Sequence, residues 1–333
     1  MLRDILKGED PAVHQAIAVI DHTDPDIFLL TGFDWDHGLA AAGAFTEALA
    51  KAGVRYPFIF APKPNSGSPT GIDMDGDGRL GTARDAQGYG RFAGDGGMLL
   101  LSKWPIGEAE LTDFTSLKWT DLPGAILPET NGKPFPSIAA LKAQRLSSVG
   151  HWDVPIEVGD VDLHLLAFAA GPPVFDGPED RNGKRNHDEI ALWSRYLSAE
   201  LSQSPPDNPV VVLGNANLDP MDGEGLHQAI ADLTQHPRLQ DPQPKSHGAE
   251  IAAQSQGGVN LTHVGDPALD TADWSDETGP GNLRVSYVLP DTQLKVTGAG
   301  VFWPTPDDTL SDLVTGEGAA RHHLVWVDID LDG

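Results

Sequence analysis

A short run constrains most of what this chain can become. Val210–Leu213 is four apolar residues, three of them β-branched, followed at once by Gly-Asn-Ala-Asn-Leu-Asp-Pro. Such a run has the length and composition of a strand buried on both faces. The polar turn behind it carries Asn215, Asn217 and Asp219 at alternate positions. In an α/β protein, chemistry tends to gather at the carboxyl ends of strands. The plainer reading of the same residues is an Asx-rich turn that only reverses the chain.

The 333 residues suffice for one large α/β domain, and no repeat or linker divides them. No apolar run approaches the length of a membrane span, so a protein outside the membrane is expected. The N-terminus, Met-Leu-Arg-Asp-Ile-Leu-Lys-Gly-Glu-Asp, has no signal-peptide core, which leaves the compartment open. The absence of Cys excludes disulfides and thiolate metal sites. The net charge of −27 repels polyphosphate backbones and disfavours nucleic acid as a partner. The oligomeric state is not legible.

Taken in order, Asp10–His22 has helical spacing with Pro11 in its first turn, and Asp26–Leu30 reads as a strand. Leu39–Ala52 is expected as a helix and Tyr56–Ala61 as a strand, before a long Gly- and Asp-rich loop, Pro62–Asp95. Asp113–Ser148 reads as a surface excursion. Val161–Phe168 reads as a strand, Glu189–Leu201 as an amphipathic helix and Gly225–Leu233 as a helix. Pro237–Asp276 reads mainly as loop, and Leu283–Leu289 and Leu324–Ile329 as closing strands. Trp35, Trp104, Trp152, Trp193 and Trp326 read as core or pocket walls.

Two loops carry candidate ligands. Asp73-Met-Asp75-Gly-Asp77-Gly78 places three carboxylates at alternate positions with Gly behind the third, the opening of a calcium loop of the EF-hand type. The twelfth position is Arg84 rather than Glu, with Asp85 beside it as a substitute ligand. The alternative is a solvated Asx/Gly turn array. The second loop, Asp176–Asp188, holds a dense basic cluster of Arg181, Lys184, Arg185 and His187 ahead of a helix. Guanidinium groups and free N–H groups there suit an anion. The alternative is that Arg181 and Arg185 pair with the carboxylates around them and order the loop.

Several stretches together resemble the endonuclease/exonuclease/phosphatase superfamily, the DNase I-like metal-dependent phosphoesterases. Gly214–Asn217 is similar to that family's Gly-Asp-x-Asn motif, and Pro25–Leu30 to the strand that ends in its metal-binding Glu. Gly96–Ile106 is similar to its Gly-x-Ala-Ile-Leu-Ser-Arg-x-Pro-Ile strand and turn, and His164–Gly177 to the strand carrying a catalytic His. Arg284–Pro290 resembles Arg-x-Asp-Tyr-x-Leu, and Arg321–Asp328 the terminal Ser-Asp-His strand. The resemblance implies a four-layer α-β-β-α sandwich of two mixed sheets and metal-assisted attack of water on a phosphoester. The implied cofactor is Mg²⁺ or Mn²⁺ at the family site, with Ca²⁺ at Asp73–Asp77 a separate expectation.

Carried over position by position, the resemblance meets repeated replacement. The Glu position falls at or beside Gly32, the Asp position at Asn215, and the middle-strand His position at Ala169. The His-orienting Asp is Ser286, and the Asp before the terminal His is Arg321. Asn217 and His322 are retained. The losses remove metal ligands and bases, which costs orders of magnitude in rate. The expectation is therefore an impaired site, a pseudoenzyme binding a cation and a small phosphorylated or anionic ligand. The alternative is an active phosphoesterase with a displaced metal site, with Asp34 standing in for the Glu and Asp219 taking part. The family also has a strand before the first helix, bearing a metal-site Asn. Here the chain opens almost directly on that helix, so truncation of that strand is expected.

Overall fold

The computed structural model describes residues 1–331. Helices α1 (Leu2–Lys7) and α2 (Pro11–Thr23) lead into strand β1 (Ile27–Phe33). Helix α3 (Ala40–Ala52) and strand β2 (Phe58–Phe60) follow, and the long loop ends in β3 (Gly97–Ser102). Next come β4 (Thr112–Asp113), a small hairpin of β5 (Glu129–Thr130) and β6 (Lys133–Pro134), and α4 (Ile138–Ala143). The long hairpin of β7 (Gly150–Val158) and β8 (Val161–Ala169) precedes α5 (Arg181–Leu197) and β9 (Val210–Asn215). After α6 (Gln228–Thr234) and α7 (His247–Gln256) come the pair β10 (Ala272–Asp273) and β11 (Asn282–Leu283). The chain closes with β12 (Ser286–Pro290), β13 (Lys295–Val301), α8 (Asp312–Thr315) and β14 (Val325–Asp330).

Two sheets pack face to face. One is five-stranded in the order β12-β9-β8-β7-β4, with β8 and β9 parallel. The other contains β1-β3-β2, all antiparallel, while β13 and β14 form a separate ribbon. Strand alternation assigns the layers. Met98 and Leu100 of β3 pack inward with Trp152, Val154, Leu163, Leu165, Val211 and Leu213 of the facing sheet. Leu99 and Leu101 point the other way, onto Phe45 and Leu49 of α3. On the far side, Leu166, Phe168, Val210 and Val212 pack on Ile190, Trp193 and Ile230 of α5 and α6. The result is the expected helix–sheet–sheet–helix order. No helix among the described residues is long and apolar enough to cross a membrane.

Local chemistry explains the element ends. Asp10 caps α2 by accepting the Ala12 and Val13 N–H groups at 2.9 and 3.2 Å, with Pro11 at the first helical position. Gly214 closes β9, where a Cβ would lie 1.9 Å from the Phe168 carbonyl oxygen of the adjacent strand.

Four expectations need correction. Asp113–Ser148 is not a surface excursion: Phe114, Trp119 and Leu146 are buried against α5, and Trp119 donates to the Asp188 carboxylate at 2.6 Å. Pro237–Asp276 contains α7, which is capped by Ser246. A helix, α1, precedes the one expected first. Helix α5 begins at Arg181, two turns before the expected Glu189. Those turns lack apolar residues, so periodicity misses them. They are helical because their polar side chains, such as those of Arg185, Asn186 and Asp188, bond within the protein.

Candidate functional site

Strand register brings three of the replaced positions into one row. Ala169 of β8 pairs with Asn215 of β9, and Asn215 pairs with Ser286 of β12. Ala169 is in phase with Leu165, Asn215 with Leu213, and Ser286 with Val288, so all three face inward, between the sheets. They line one cavity of about 2270 Å³, together with Gly32, Asn217 and His322.

Each wall of this group is locally determined. Gly32 sits at a bulge in β1 with φ +75°, and nothing lies within 4 Å of where its Cβ would be. A side chain there would enter the cavity, at the cost of a left-handed backbone. Asn215 accepts the Asn217 N–H at 2.8 Å through its side-chain oxygen, closing an Asx turn. Asn217, at φ +49°, donates its amide to the Ala170 carbonyl at 2.7 Å. Both readings of the turn therefore coincide in space: the Asx turn exists, and it stands at the cavity.

His322 lies edge-on to Trp274, with ring centroids 5.3 Å apart, and its Nδ1 is buried without a hydrogen-bond partner. Burial, with a smaller push from Arg321, holds its pKa below the ordinary value, so the ring is neutral at physiological pH. Among the described residues no carboxylate partners its Nδ1, and the strand position paired with Asn215 is Ser286. The adjacent His323, not singled out from sequence, stacks on Trp303 at 3.7 Å. Burial and the neighbouring His322 depress it to about 3.

A divalent cation does not fit the row itself. Gly32, Ala169, Asn215, Asn217, Ser286 and His322 offer no carboxylate, whereas Mg²⁺ and Mn²⁺ are held by hard anionic oxygen. The proposed substitutes, Asp34 and Asp219, do not close the gap, and neither does the nearby Asp36. Asp34 accepts the Gly96 N–H at 3.1 Å and lies 3.7 Å from the N-terminal amine, and it is not among the residues lining the large cavity. Asp36 caps α3 by accepting the Ala40 and Ala41 N–H groups, both at 2.8 Å. Asp219 is buried and accepts the Met221, Asp222 and Arg284 N–H groups.

At the rim, the acidic loop arranges its ligands differently from the expected spacing. Oxygens of Asp73, Asp75 and Asp85 lie within 4.8 Å of one another, and Asp77 is not in the group. Asp77 instead accepts the Arg79 N–H at 2.7 Å. Asp85 holds the loop by accepting Met74 N–H at 2.9 Å and both Thr82 donors. Asp75 is pushed above the ordinary carboxylate range, chiefly by burial, with Asp77, Asp85 and Asp73 adding repulsion. Three hard oxygens at this separation suit a cation, and they also suit the turn they already stabilise.

The basic cluster is divided by its helix. Arg185 is buried, and its guanidinium donates to the carbonyls of Leu146, Gln87, Arg145 and Ser147. Desolvation lowers it to about 10, opposed by Glu189 one turn on. Glu189 in turn accepts the Ser148 and Gly171 N–H groups. Arg185 is thus held by four scaffold carbonyls, and it also lines the cavity. Lys184 donates to the Glu179 carbonyl at 2.7 Å. Arg181 donates to Gln144 at 2.7 Å and lines the cavity with Asp75, Arg84 and Asn182. It is the guanidinium of the cluster best placed to meet an anion. Tyr89 and Phe175, exposed at this mouth, were not legible as site residues. Aromatic side chains stranded in Gly- and Pro-rich loops were the available signal.

A family model described as the Endonuclease/Exonuclease/phosphatase family matches residues 5–312. Among solved structures, the chain is similar to an endonuclease/exonuclease/phosphatase from Beutenbergia cavernae DSM 12333, at 15% identity and a TM-score of 0.52. That match covers 95% of this chain, which spans 65% of the other's length. It is also similar to an endonuclease/exonuclease/phosphatase family protein from Leptotrichia buccalis C-1013-b, at 14% identity and a TM-score of 0.52, covering 96% of this chain and 93% of that one. At such identities the likeness concerns the fold alone. No curated protein matches the chain.

Proposed function

Because this chain belongs to the endonuclease/exonuclease/phosphatase family, we propose that it uses the family's scaffold to bind a small phosphorylated or anionic ligand and has an impaired phosphoesterase site. Members of the family usually depend on a divalent metal. The observation that carries the proposal is the row Ala169–Asn215–Ser286, which faces the cavity on three adjacent strands and contains no acid or base. Neutral amide and hydroxyl groups can hold a ligand oxygen, but they do not deprotonate water. His322 is neutral and lacks an orienting partner. Arg181 at the rim supplies the positive charge for an anionic group.

A second reading rests on the group Asp73, Asp75 and Asp85, whose member Asp75 lines the same cavity as Arg181. In that reading a divalent cation at the rim supports hydrolysis from a displaced position. The two are separated by adding Mg²⁺, Mn²⁺ and Ca²⁺ in turn to the metal-stripped protein with a generic aryl phosphodiester. The binding reading expects no turnover with any ion, and saturable binding of phenyl phosphate that weakens at least about tenfold in Arg181→Ala. Turnover abolished by Asp75→Asn would establish the displaced-metal reading. Absence of both turnover and phenyl phosphate binding would remove the anion-binding proposal.

A further inference from the structure

Two large aromatic side chains at the cavity mouth are left uncovered by the fold. Tyr89 is 65% exposed and Phe175 is 74% exposed, and both line the cavity. The exposure of Tyr89 does not come from a loose loop. Residues 85–88 and Gly90 are buried on either side of it. Gly88 donates its N–H to the Asn65 carbonyl at 3.2 Å, and its own carbonyl accepts the Gly67 N–H at 2.9 Å. A Cβ on Gly88 would lie 1.8 Å from the Ser148 carbonyl oxygen, and one on Gly90 2.4 Å from the Gly67 nitrogen. Only glycine allows such close approach. The ring between them is therefore carried on backbone that is held from both sides.

Phe175 is presented by a second pinned segment. The Asn182 side chain donates to the Val174 carbonyl at 2.7 Å, and the Asn182 N–H donates to the Asp176 carboxylate. Phe175, between those anchors, has φ +73°. A left-handed backbone is costly for a bulky residue, and a ring turned to solvent recovers little of that cost from packing. Strain of this kind collects where a protein meets a ligand.

The two rings share a neighbourhood with Arg181. Arg181 donates to the Gln144 side-chain oxygen at 2.7 Å, and the Gln144 amide donates to the Gln87 carbonyl at 2.8 Å, two residues before Tyr89. On the other side Arg181 adjoins Asn182, which holds both flanks of Phe175. Ser148 ties the two loops together again. Its carbonyl abuts Gly88, and its N–H and that of Gly171 both donate to Glu189. Among the described residues Arg181 forms no ion pair. The nearby carboxylates of Asp176 and Glu179 are engaged by the Asn182 and Gly177 N–H groups. A forked, charged donor thus stands beside two rings fixed in solvent.

We propose that Tyr89 and Phe175 form a subsite for a planar aromatic group, carried by the same small ligand whose anionic group meets Arg181. This rests on the anion-binding reading and narrows its ligand to an aryl phosphate. Aromatic faces and edges attract another ring beyond the gain from burying its area, so they select it over a saturated group of equal size. A net charge of −27 suits a single small phosphate better than a polyphosphate chain. An ammonium headgroup is the other group that aromatic faces take. The Arg181 guanidinium beside the rings opposes it.

Calorimetric titration with phenyl phosphate, cyclohexyl phosphate and choline phosphate tests the subsite. Phenyl phosphate is expected to bind about tenfold more tightly than cyclohexyl phosphate, which is of similar size but has no π face. In Tyr89→Leu/Phe175→Leu that ratio should fall to about one. Equal affinities for the two esters in the parent protein overturn the subsite and leave the anion-binding reading standing. A tenfold ratio that survives in the double variant also overturns it, because the selection then lies elsewhere in the cavity. Tighter binding of choline phosphate than of phenyl phosphate overturns it as well, assigning the rings to a cationic group. If the folded protein binds none of the three, the anion-binding reading fails and the subsite falls with it.

Discussion

The two sheets of this protein are finished to different degrees. In the five-stranded sheet, β8 and β9 are paired on both sides, and Leu166, Phe168 and Val212 are fully buried. In the facing layer, β1 and the β13–β14 ribbon stand on either side of a cavity, and apolar β1 residues remain half-buried. The difference also runs across single strands. The helix side of the five-stranded sheet keeps its polar anchors: Tyr287 donates to the Leu218 and Arg284 carbonyls, and Arg284 grips Asp241 at 2.6 and 2.8 Å. The cavity side of the same strands presents Ala169, Asn215 and Ser286. Groups that hold the scaffold and groups that would act on a substrate sit on opposite faces, so one set can change without the other.

The largest effect should come from the finished side. Glu189→Ala leaves the buried Arg185 charge and the Ser148 and Gly171 N–H groups without their carboxylate. It should cost about 3–5 kcal/mol in urea unfolding; a change near zero would mean the network is not stabilising. Next comes a matched pair across the two environments. Leu100→Ala, at a fully buried position of β3, should cost about 2–5 kcal/mol, whereas Leu29→Ala beside the cavity should cost about 1 kcal/mol. Equal costs would break the contrast between the sheets.

The two faces of β12 give a smaller pair. Tyr287→Phe removes both hydrogen bonds of the buried hydroxyl and should cost about 1–2 kcal/mol. Ser286→Ala on the cavity face should stay within about 0.5 kcal/mol. Denaturant midpoints measured side by side decide the matter, and a reversed order would refute the division of labour.

The smallest effect at neutral pH belongs to His323→Phe, which retains the stack on Trp303. Its consequence appears in acid. The folded pKa is about 3 against an ordinary 6.5, so the unfolded chain binds the proton first. The stability contribution is complete above 6.5 and is lost as pH falls toward 3. His151, also depressed to about 3 by burial, acts in the same direction. The variant should therefore lose less stability than the parent between pH 6.5 and 3, as read from thermal midpoints. Parallel curves would exclude His323 as a contributor to the acid limb.

Much of the fold was legible because its signals are local. β-Branched and apolar runs marked β8 and β9, and Asp10 with Pro11 marked the start of α2. Helix α7 was missed because its small and polar residues give little periodicity, and the first turns of α5 because their order comes from contacts with distant loops. The acidic loop was legible as a carboxylate group with Asp85 as a substitute ligand, whereas the departure of Asp77 from the group was not. The turn spends Asp77 on Arg79 and brings Asp85 back beside Asp73.

By itself the sequence determined which chemical groups exist: the strand-forming runs, the caps, and the absence of acid or base at Ala169, Asn215 and Ser286. Only the tertiary structure decided that these three stand in one row, that Arg185 turns inward while Arg181 reaches the rim, and that β1 and β14 flank a channel. The physical reason is that composition and period are properties of a segment. Register, burial and an unpaired edge are properties of pairs of segments far apart in the chain, settled only when the sheets close on each other.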